Sequence, residues 1–233
     1  MVASAHGSPQ NPFMEPFTLT TDRLLLRTFT PDDTEPVYQA CQDPDIQRWT
    51  TVPSPYRREH AVEFIEQTVP DGWHNGTMCT FAVLPRTGGP LMASVGVTLR
   101  TYSGTWEIGF WTGKEHRGQG VTVEAVRAVA HWTFTRLGAN RLEWRAEVGN
   151  HASRAVAERA GFTVEGELRA ALLNKDTLRD TWVGSLLPSD VGLSSKPPYL
   201  PAARESAGPD ASGLSGSPAP GSGCSGGSGG SGP

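Results

Sequence analysis

The stretch Lys114-Glu115-His116-Arg117-Gly118-Gln119-Gly120-Val121-Thr122-Val123-Glu124-Ala125 concentrates more chemistry than any other part of this chain. It follows an apolar run, Trp106 to Trp111, and opens a long amphipathic segment. A glycine turn that feeds a helix N-terminus gathers unpaired backbone N–H groups and the positive end of the helix dipole at one point. Arg117 sets a fixed cation beside them. That combination suits a diphosphate. A glycine-rich turn alone is also what many strand-to-helix connections need simply to turn. Gly109 in the preceding strand adds weight to the functional reading, because an interior strand glycine marks a bulge or a close backbone approach. A bulge there would splay this strand from the next and free edge groups for a ligand that carries amides.

Other nucleotide motifs fit less well. The chain lacks Gly-x-x-x-x-Gly-Lys-Ser/Thr, and Val123 stands where a dinucleotide fingerprint needs its third glycine. The net charge of −4 argues against a basic nucleic-acid-binding face, although not against a local phosphate pocket. Cys41, Cys79 and Cys224 are odd in number and widely spaced, with neither a metal pattern nor a disulfide framework, which fits a reducing cytoplasm. The N-terminus shows no signal-peptide pattern, and no run of about 18 apolar residues predicts a membrane span. Residues 1–16 and 191–233 are rich in Gly, Ser, Pro and Ala and read as disordered extensions around one domain over residues 17–190.

The elements that would position the glycine loop follow from periodicity. Arg23 to Phe29 reads as a strand. Pro31-Asp32-Asp33 starts a helix behind Thr30, and that helix stops near Asp43-Pro44. A second helix is predicted from about Arg57 to Val69, and Asp71-Gly72 to Asn75-Gly76 reads as a turn cluster. Strands follow over Met78–Leu84, Leu91–Leu99 and Thr105–Thr112, the first two forming a hairpin. The helix after the loop runs from Val121 to Leu137, with Gly138 closing it. A strand Arg141–Val148, a helix His151–Ala160 ended by Gly161, and a hairpin of Phe162–Leu173 with Thr177–Leu187 complete an α/β domain around a mixed sheet.

Over Leu19 to about Leu187 the chain resembles the RimJ/RimL-type branch of the GNAT acetyltransferases. Four ordered segments carry the resemblance. Thr20-Thr21-Asp22-Arg23-Leu24-Leu25-Leu26-Arg27 is similar to the opening of that branch, and Trp106-Glu107-Ile108-Gly109-Phe110-Trp111 to its central strand. Arg117-Gly118-Gln119-Gly120 is similar to its phosphate loop. Asn150-His151-Ala152-Ser153, then Ala160-Gly161-Phe162 and Glu165-Gly166, are similar to its downstream helix and strand. One position departs: the loop of the family ends in Gly or Ala where this chain has Thr122, whose side chain would crowd the diphosphate or donate to it.

The resemblance implies a GNAT fold, acetyl-CoA as cosubstrate without a metal, and direct attack of an amine on the thioester. It implies Arg117, Gly118, Gln119, Gly120 and Thr122 as the holders of the diphosphate. It implies that a backbone N–H near Ile108–Phe110 polarises the thioester carbonyl. Asn150 and Ser153 would serve the pantetheine arm and the thiol, with Ser153 donating a proton to the leaving thiolate. Asn150 is equally a natural helix N-cap. Glu107 is a candidate general base, against the alternative of a cross-strand ion pair. Some relatives place a catalytic Glu where this chain has Leu172. Without a certain base, an amine of low pKa is the easier acceptor: about one lysine side chain in 2,500 is neutral at pH 7, against about one α-amino group in seven. A protein or peptide N-terminus or a small amine is therefore favoured over an internal lysine. A non-catalytic acyl-CoA sensor and a transferase of larger acyl groups such as succinyl are the alternatives, and a homodimer is compatible with all three. His116 is expected to be exposed, and Arg154 to be a solvated helix residue or to approach the 3′-phosphate of the cofactor. Trp49, Tyr56, Trp73 and Tyr102 are aromatics in loops that often border the acceptor side.

Overall fold

Strand patterning dominates the chain between Met78 and Thr112, and the sheet is built outward from it. A computed structural model of the protein describes residues 14–100 and 104–202. Tyr102, Cys224, the first 13 residues and the tail beyond residue 202 lie outside the described residues. The strands are β1 (Leu19–Thr20), β2 (Leu24–Arg27), β3 (Met78–Pro85), β4 (Ala93–Leu99), β5 (Thr105–Thr112), β6 (Arg141–Glu147), β7 (Thr163–Asn174) and β8 (Thr177–Leu186). They form one mixed sheet in the order β1-β2-β3-β4-β5-β6-β8-β7. All neighbours are antiparallel except β5 and β6, which are parallel. That single parallel pair needs a crossover, and the long helix α5 (Val121–Arg136) supplies it.

The register puts Phe81, Val95, Ile108 and Trp144 on one face of the sheet. Trp73 and Trp132 pack on Phe81 with ring centroids 5.2 and 5.3 Å away. This is the main core, and α5 lies over it with Val121, Ala125, Val129 and Trp132 buried as their helical spacing predicts. Gly138 closes α5 with a φ of +66°, a backbone conformation that glycine adopts without strain. The helix α6 (His151–Ala160) ends likewise at Gly161, with a φ of +110°.

Three segments differ from the sequence reading. The predicted strand Arg23–Phe29 pairs only over Leu24–Arg27. The first helix, α1 (Thr34–Ala40), ends before Asp43-Pro44 as expected, but a short helix that the sequence reading lacks, α2 (Pro44–Trp49), begins there. Pro44 occupies its first turn, where the missing N–H costs nothing, and the Asp43 carboxylate accepts from the N–H groups of Asp45 and Ile46 at 2.7 and 3.3 Å. The predicted turn cluster is mostly helix. α3 (Arg58–Glu63) continues through a π-helical turn (Phe64–Thr68) into α4 (Val69–Asn75), and only Gly76 leaves it, with a φ of +62°. Gly72 is a close-approach glycine inside α4: a Cβ there would lie 2.7 Å from the Met78 carbonyl oxygen.

The packed unit extends to Pro198, with Val191 and Leu193 against the core after a short 3-10 turn (Pro188–Val191). Among the described residues, no helix is long and apolar enough to cross a membrane.

Candidate active site

The parallel pairing of β5 with β6 ends at Ile108 opposite Trp144, while each strand continues along its other neighbour. The hydrogen bonds at the ladder ends show which peptide groups this leaves open. Gly113 N–H donates to Met92 O at 2.9 Å and Arg100 N–H to Thr105 O at 2.9 Å, so the odd-numbered residues of β5 bond to β4. The even-numbered ones, Ile108, Phe110 and Thr112, turn their peptide groups toward β6. Val148 N–H donates to Asp180 O at 2.9 Å, so Arg145 and Glu147 in turn point theirs toward β5. One more step of the ladder would join Phe110 N–H to Arg145 C=O and Glu147 N–H to Phe110 C=O. That step is absent, and the strands diverge into a cleft with these groups on its walls. The cleft arises without a register shift between β4 and β5, because Gly109 simply faces Gly96. A Cβ on Gly109 would meet nothing within 4 Å.

From the end of β5 the chain turns through Lys114–His116 into the glycine loop. Gly118 and Gly120 both have a φ of +74°, and Gly120 is the N-cap of α5 with no side-chain cap on the helix. The first intrahelical bond runs from Glu124 N–H to Gly120 O, so the N–H groups before it have no helical acceptor. A Cβ on Gly118 would enter open space. The loop is braced by two residues of the chain's opening segment, Thr21 and Arg23. Arg23 donates from Nε to Glu124 at 2.6 Å and from Nη1 to Gln119 O at 3.2 Å, and the Thr21 hydroxyl donates to the same Glu124 carboxylate at 2.5 Å. Burial pushes the Glu124 carboxyl up, but these donors outweigh it and hold the group below the usual carboxylate range.

Other loop side chains are committed within the protein. Gln119 donates its amide to Glu115 O at 2.8 Å. The Thr122 side chain is buried and its hydroxyl is bonded to that of Thr112 in β5, so it ties loop to strand. The Arg117 guanidinium pairs with Asp43 and Asp45, both at 3.1 Å, and donates to Thr112 O at 3.3 Å. His116 is half-buried.

At the other side of the cleft, Asn150 caps α6, its carboxamide oxygen accepting from Ser153 N–H at 3.1 Å. The Ser153 hydroxyl oxygen accepts from the buried indole N–H of Trp144 at 2.9 Å. That bond occupies one of its two lone pairs, and among the described residues its own proton is donated to no protein group. Glu107 lies on the opposite sheet face from Ile108 and Trp144. Its carboxylate is held by both Arg100, through Nε at 2.9 Å, and Arg145, at 3.5 Å. The ion-paired alternative for Glu107 is thus the arrangement in this structure. Arg154 pairs with Glu158 at 2.8 Å and stacks over Trp182.

Sequence reasoning missed α2 and the ion pairs it makes at the candidate site. Side chains of this helix pair with both the glycine loop and the end of β6. Asp43 and Asp45 at its start hold Arg117 beyond β5. Arg48 near its end grips Glu147, the last residue of β6, with two bonds of 2.8 and 2.6 Å. That pairing holds the Glu147 carboxyl below its ordinary range. Lys175, in the β7–β8 turn, donates to Gln47 O and Thr50 O at the helix C-terminus. No spacing rule links residues as far apart as Arg48 and Glu147. Of the aromatics expected on the acceptor side, Trp49 lies beside Gly149 at the end of α2, whereas Trp73 is in the core and Tyr56 is buried. A second feature without a sequence signal is an open groove of about 760 Å³ beside the loop, lined by Arg23, Gly118, Gly120, Arg127 and Arg159 among others. Among the described residues no group of three His, Cys, Asp or Glu is arranged to hold a metal.

Residues 23–163 match the model of the acetyltransferase (GNAT) domain. The chain is 28% identical over 171 residues to the uncharacterised N-acetyltransferase p20 of Bacillus licheniformis, covering 73% of this chain and 96% of that one. A solved Vibrio cholerae protein, provisionally named a ribosomal-protein-serine acetyltransferase, superposes with a TM-score of 0.67 at 28% identity over 74% of this chain and 98% of its own. The microcin C7 self-immunity acetyltransferase MccE, solved with acetyl-CoA and AMP, shares the fold with a TM-score of 0.64 at 22% identity, over 72% and 93% of the two chains. With a family model spanning more than half its length and a split parallel pair feeding a glycine-capped helix, the chain belongs to the GNAT family of N-acetyltransferases.

Proposed function

We propose that the protein transfers an acetyl group from acetyl-CoA to a primary amine by direct attack. The observation that carries this reading is that the split β5–β6 pair leads through one short stretch of chain to the glycine-capped N-terminus of α5. The unpaired peptide groups of Phe110, Arg145 and Glu147 line the cleft, and β5 leads from them to the N–H groups of the glycine loop. Pantetheine carries two amides that can pair with such edges as an added strand would, and the loop suits the diphosphate that follows. The groove beside the loop adds positive charge from Arg23, Arg127 and Arg159.

In this reading the amine nitrogen attacks the thioester carbon while the Phe110 N–H stabilises the charge growing on the carbonyl oxygen. The carbon–sulfur bond then breaks; the Ser153 hydroxyl donates a hydrogen bond to the departing thiolate and relays to it a proton from solvent, so that Ser153 ends protonated, while the proton lost by the amine passes to solvent or to Glu107. Orientation by the Trp144 indole leaves the Ser153 proton free for that role. A buried thiol offers no competing route, because burial pushes Cys41 and Cys79 up to about 12 and keeps both protonated. These free buried thiols also support a cytoplasmic setting. Glu107 can accept the proton from nitrogen only where its contacts with Arg100 and Arg145 open. An acceptor of low pKa lightens that demand, which favours a protein or peptide N-terminus or a small amine.

The pairing of Glu107 and the Leu172 substitution favour one second reading, a non-catalytic acyl-CoA sensor. Thiol release from acetyl-CoA over a panel of peptides and small amines, with products identified by mass spectrometry, decides between them. Acetylated product supports the transferase. Tight acetyl-CoA binding with no release across the panel would replace it by the sensor.

A further inference from the structure

The charges around the cleft are not evenly balanced. Along β5, β6 and their neighbours, Arg100, Arg145 and Arg141 alternate with Glu107, Glu143 and Glu165, three cations to three anions. At the open end the count differs. The carboxylate of Glu147 is shared by Arg48 at 2.6 Å and Arg179 at 4.0 Å, and Lys175 acts on it electrostatically. Three cations thus face one nearly buried anion, an excess of two positive charges. Two of the three have donated hydrogen bonds that hold them within the protein. Arg48 uses both terminal nitrogens on Glu147, and Lys175 donates to Gln47 O, Thr50 O and Asn174 Oδ1. Arg179 has not: among the described residues its guanidinium donates no hydrogen bond, and its side chain is 42% exposed. Its cross-strand neighbour is Leu172, which supplies no countercharge. The adjacent Asp180 points to the other sheet face and accepts from Ala170 N–H at 2.9 Å. Asp43 and Asp45 are engaged by Arg117 at the far end of α2.

We propose that Arg179, backed by Arg48 and Lys175, selects acceptors that carry a carboxylate close to the amine. This deepens the acyl-transfer reading and rests on it for the word acceptor. An unspent guanidinium fork beside a cleft, in a field of excess positive charge, matches a carboxylate in shape and charge. The carboxylate has two sources, an acidic side chain next to a peptide N-terminus or the α-carboxylate of a free amino acid.

The test is equilibrium titration of the full chain with two matched pairs at low ionic strength. The pairs are the C-terminally amidated peptides Ser-Asp-Ala-Ala and Ser-Asn-Ala-Ala, and serine against serinamide. The acidic member of at least one pair binds about five- to tenfold more tightly. Which pair shows the preference identifies the source. R179Q abolishes the preference, and R179K, which keeps the charge, retains part of it. Equal affinity within both pairs, no detectable binding of either acid, or a preference that survives R179Q would overturn the proposal. Thiol release from acetyl-CoA with the same four compounds is read separately. A binding preference without any release would remove the acyl-transfer reading and leave the anion selection standing.

Discussion

Arg117 offers the sharpest test of how the loop holds its ligand, because in the free protein this side chain is already engaged. Its guanidinium meets Asp43 and Asp45 at 3.1 Å each. A charge-assisted contact to a diphosphate contributes about 1.5–3 kcal/mol, so R117A should weaken coenzyme A binding by about 13- to 160-fold. The two aspartates are not equivalent competitors. Asp43 also caps α2, and replacing it would disturb the helix. The Asp45 side chain is 66% exposed, so its pairing with Arg117 is worth only about 0.2–1 kcal/mol. D45N should release Arg117 and remove a negative charge near the phosphates, tightening binding by about 1.4- to fivefold. The assay is isothermal titration of coenzyme A at two salt concentrations, with the difference shrinking at the higher one. Unchanged affinity in R117A would mean that the backbone N–H groups act alone. Weaker binding in D45N would mean that Arg117 serves to anchor α2 and does not grip the ligand.

S153A should lower kcat about 10²-fold with little change in KM for acetyl-CoA, and it should also lower the denaturation midpoint because the buried Trp144 N–H loses its acceptor; an unchanged kcat would remove Ser153 as the proton donor. G109A should fold normally, since a Cβ there meets nothing within 4 Å, yet impair turnover by narrowing the space beside the cleft wall; full activity in G109A would show that the reacting groups do not pass this wall. G72A should destabilise by about 1–3 kcal/mol in urea, because the added Cβ would press on Met78 O at 2.7 Å, whereas a solvated helix glycine would gain about 1 kcal/mol from the same change. Burial pushes the Asp33 carboxyl up, but the Arg27 fork at 2.6 and 2.9 Å and the Thr30 N–H outweigh it and hold the group below its ordinary range. Its stabilising contribution is therefore present above the unfolded value near pH ~3.9 and lost as pH falls through the lower folded value. D33N should flatten the acid limb of a stability-against-pH curve, and an unaltered limb would show that other carboxylates control it.

The parts of the fold that could be read in advance are those set by local rules. Strand β5 and helix α6 lie where alternation, an N-cap asparagine and a terminal glycine place them. The helix α2 was hidden because Asp43-Pro44 is ambiguous: the pair ends one helix and starts the next, and only tertiary contacts show the second. Gly72 misled for a related reason, since a glycine that permits close packing looks in sequence like one that permits a turn. Within the candidate site, types and spacing point to the glycine loop and the central strand, and the family resemblance to Asn150 and Ser153. They could not disclose that Arg117 is shared with two aspartates, that Glu107 is clasped by two arginines, or that Arg23 braces the loop. Each of those facts joins residues that only the folded sheet brings together. The Thr122 hydroxyl likewise had two readings toward a ligand, and its bond to Thr112 follows from a neighbour one strand away.

A crystal structure of the complex with acetyl-CoA tests the central claim most directly. It should show the pantetheine amides bonded to the peptide groups of Phe110, Arg145 and Glu147, and the diphosphate on the N–H groups between Gly118 and Thr122. A ligand seated elsewhere, with β5 and β6 bridged only by solvent, would contradict the account.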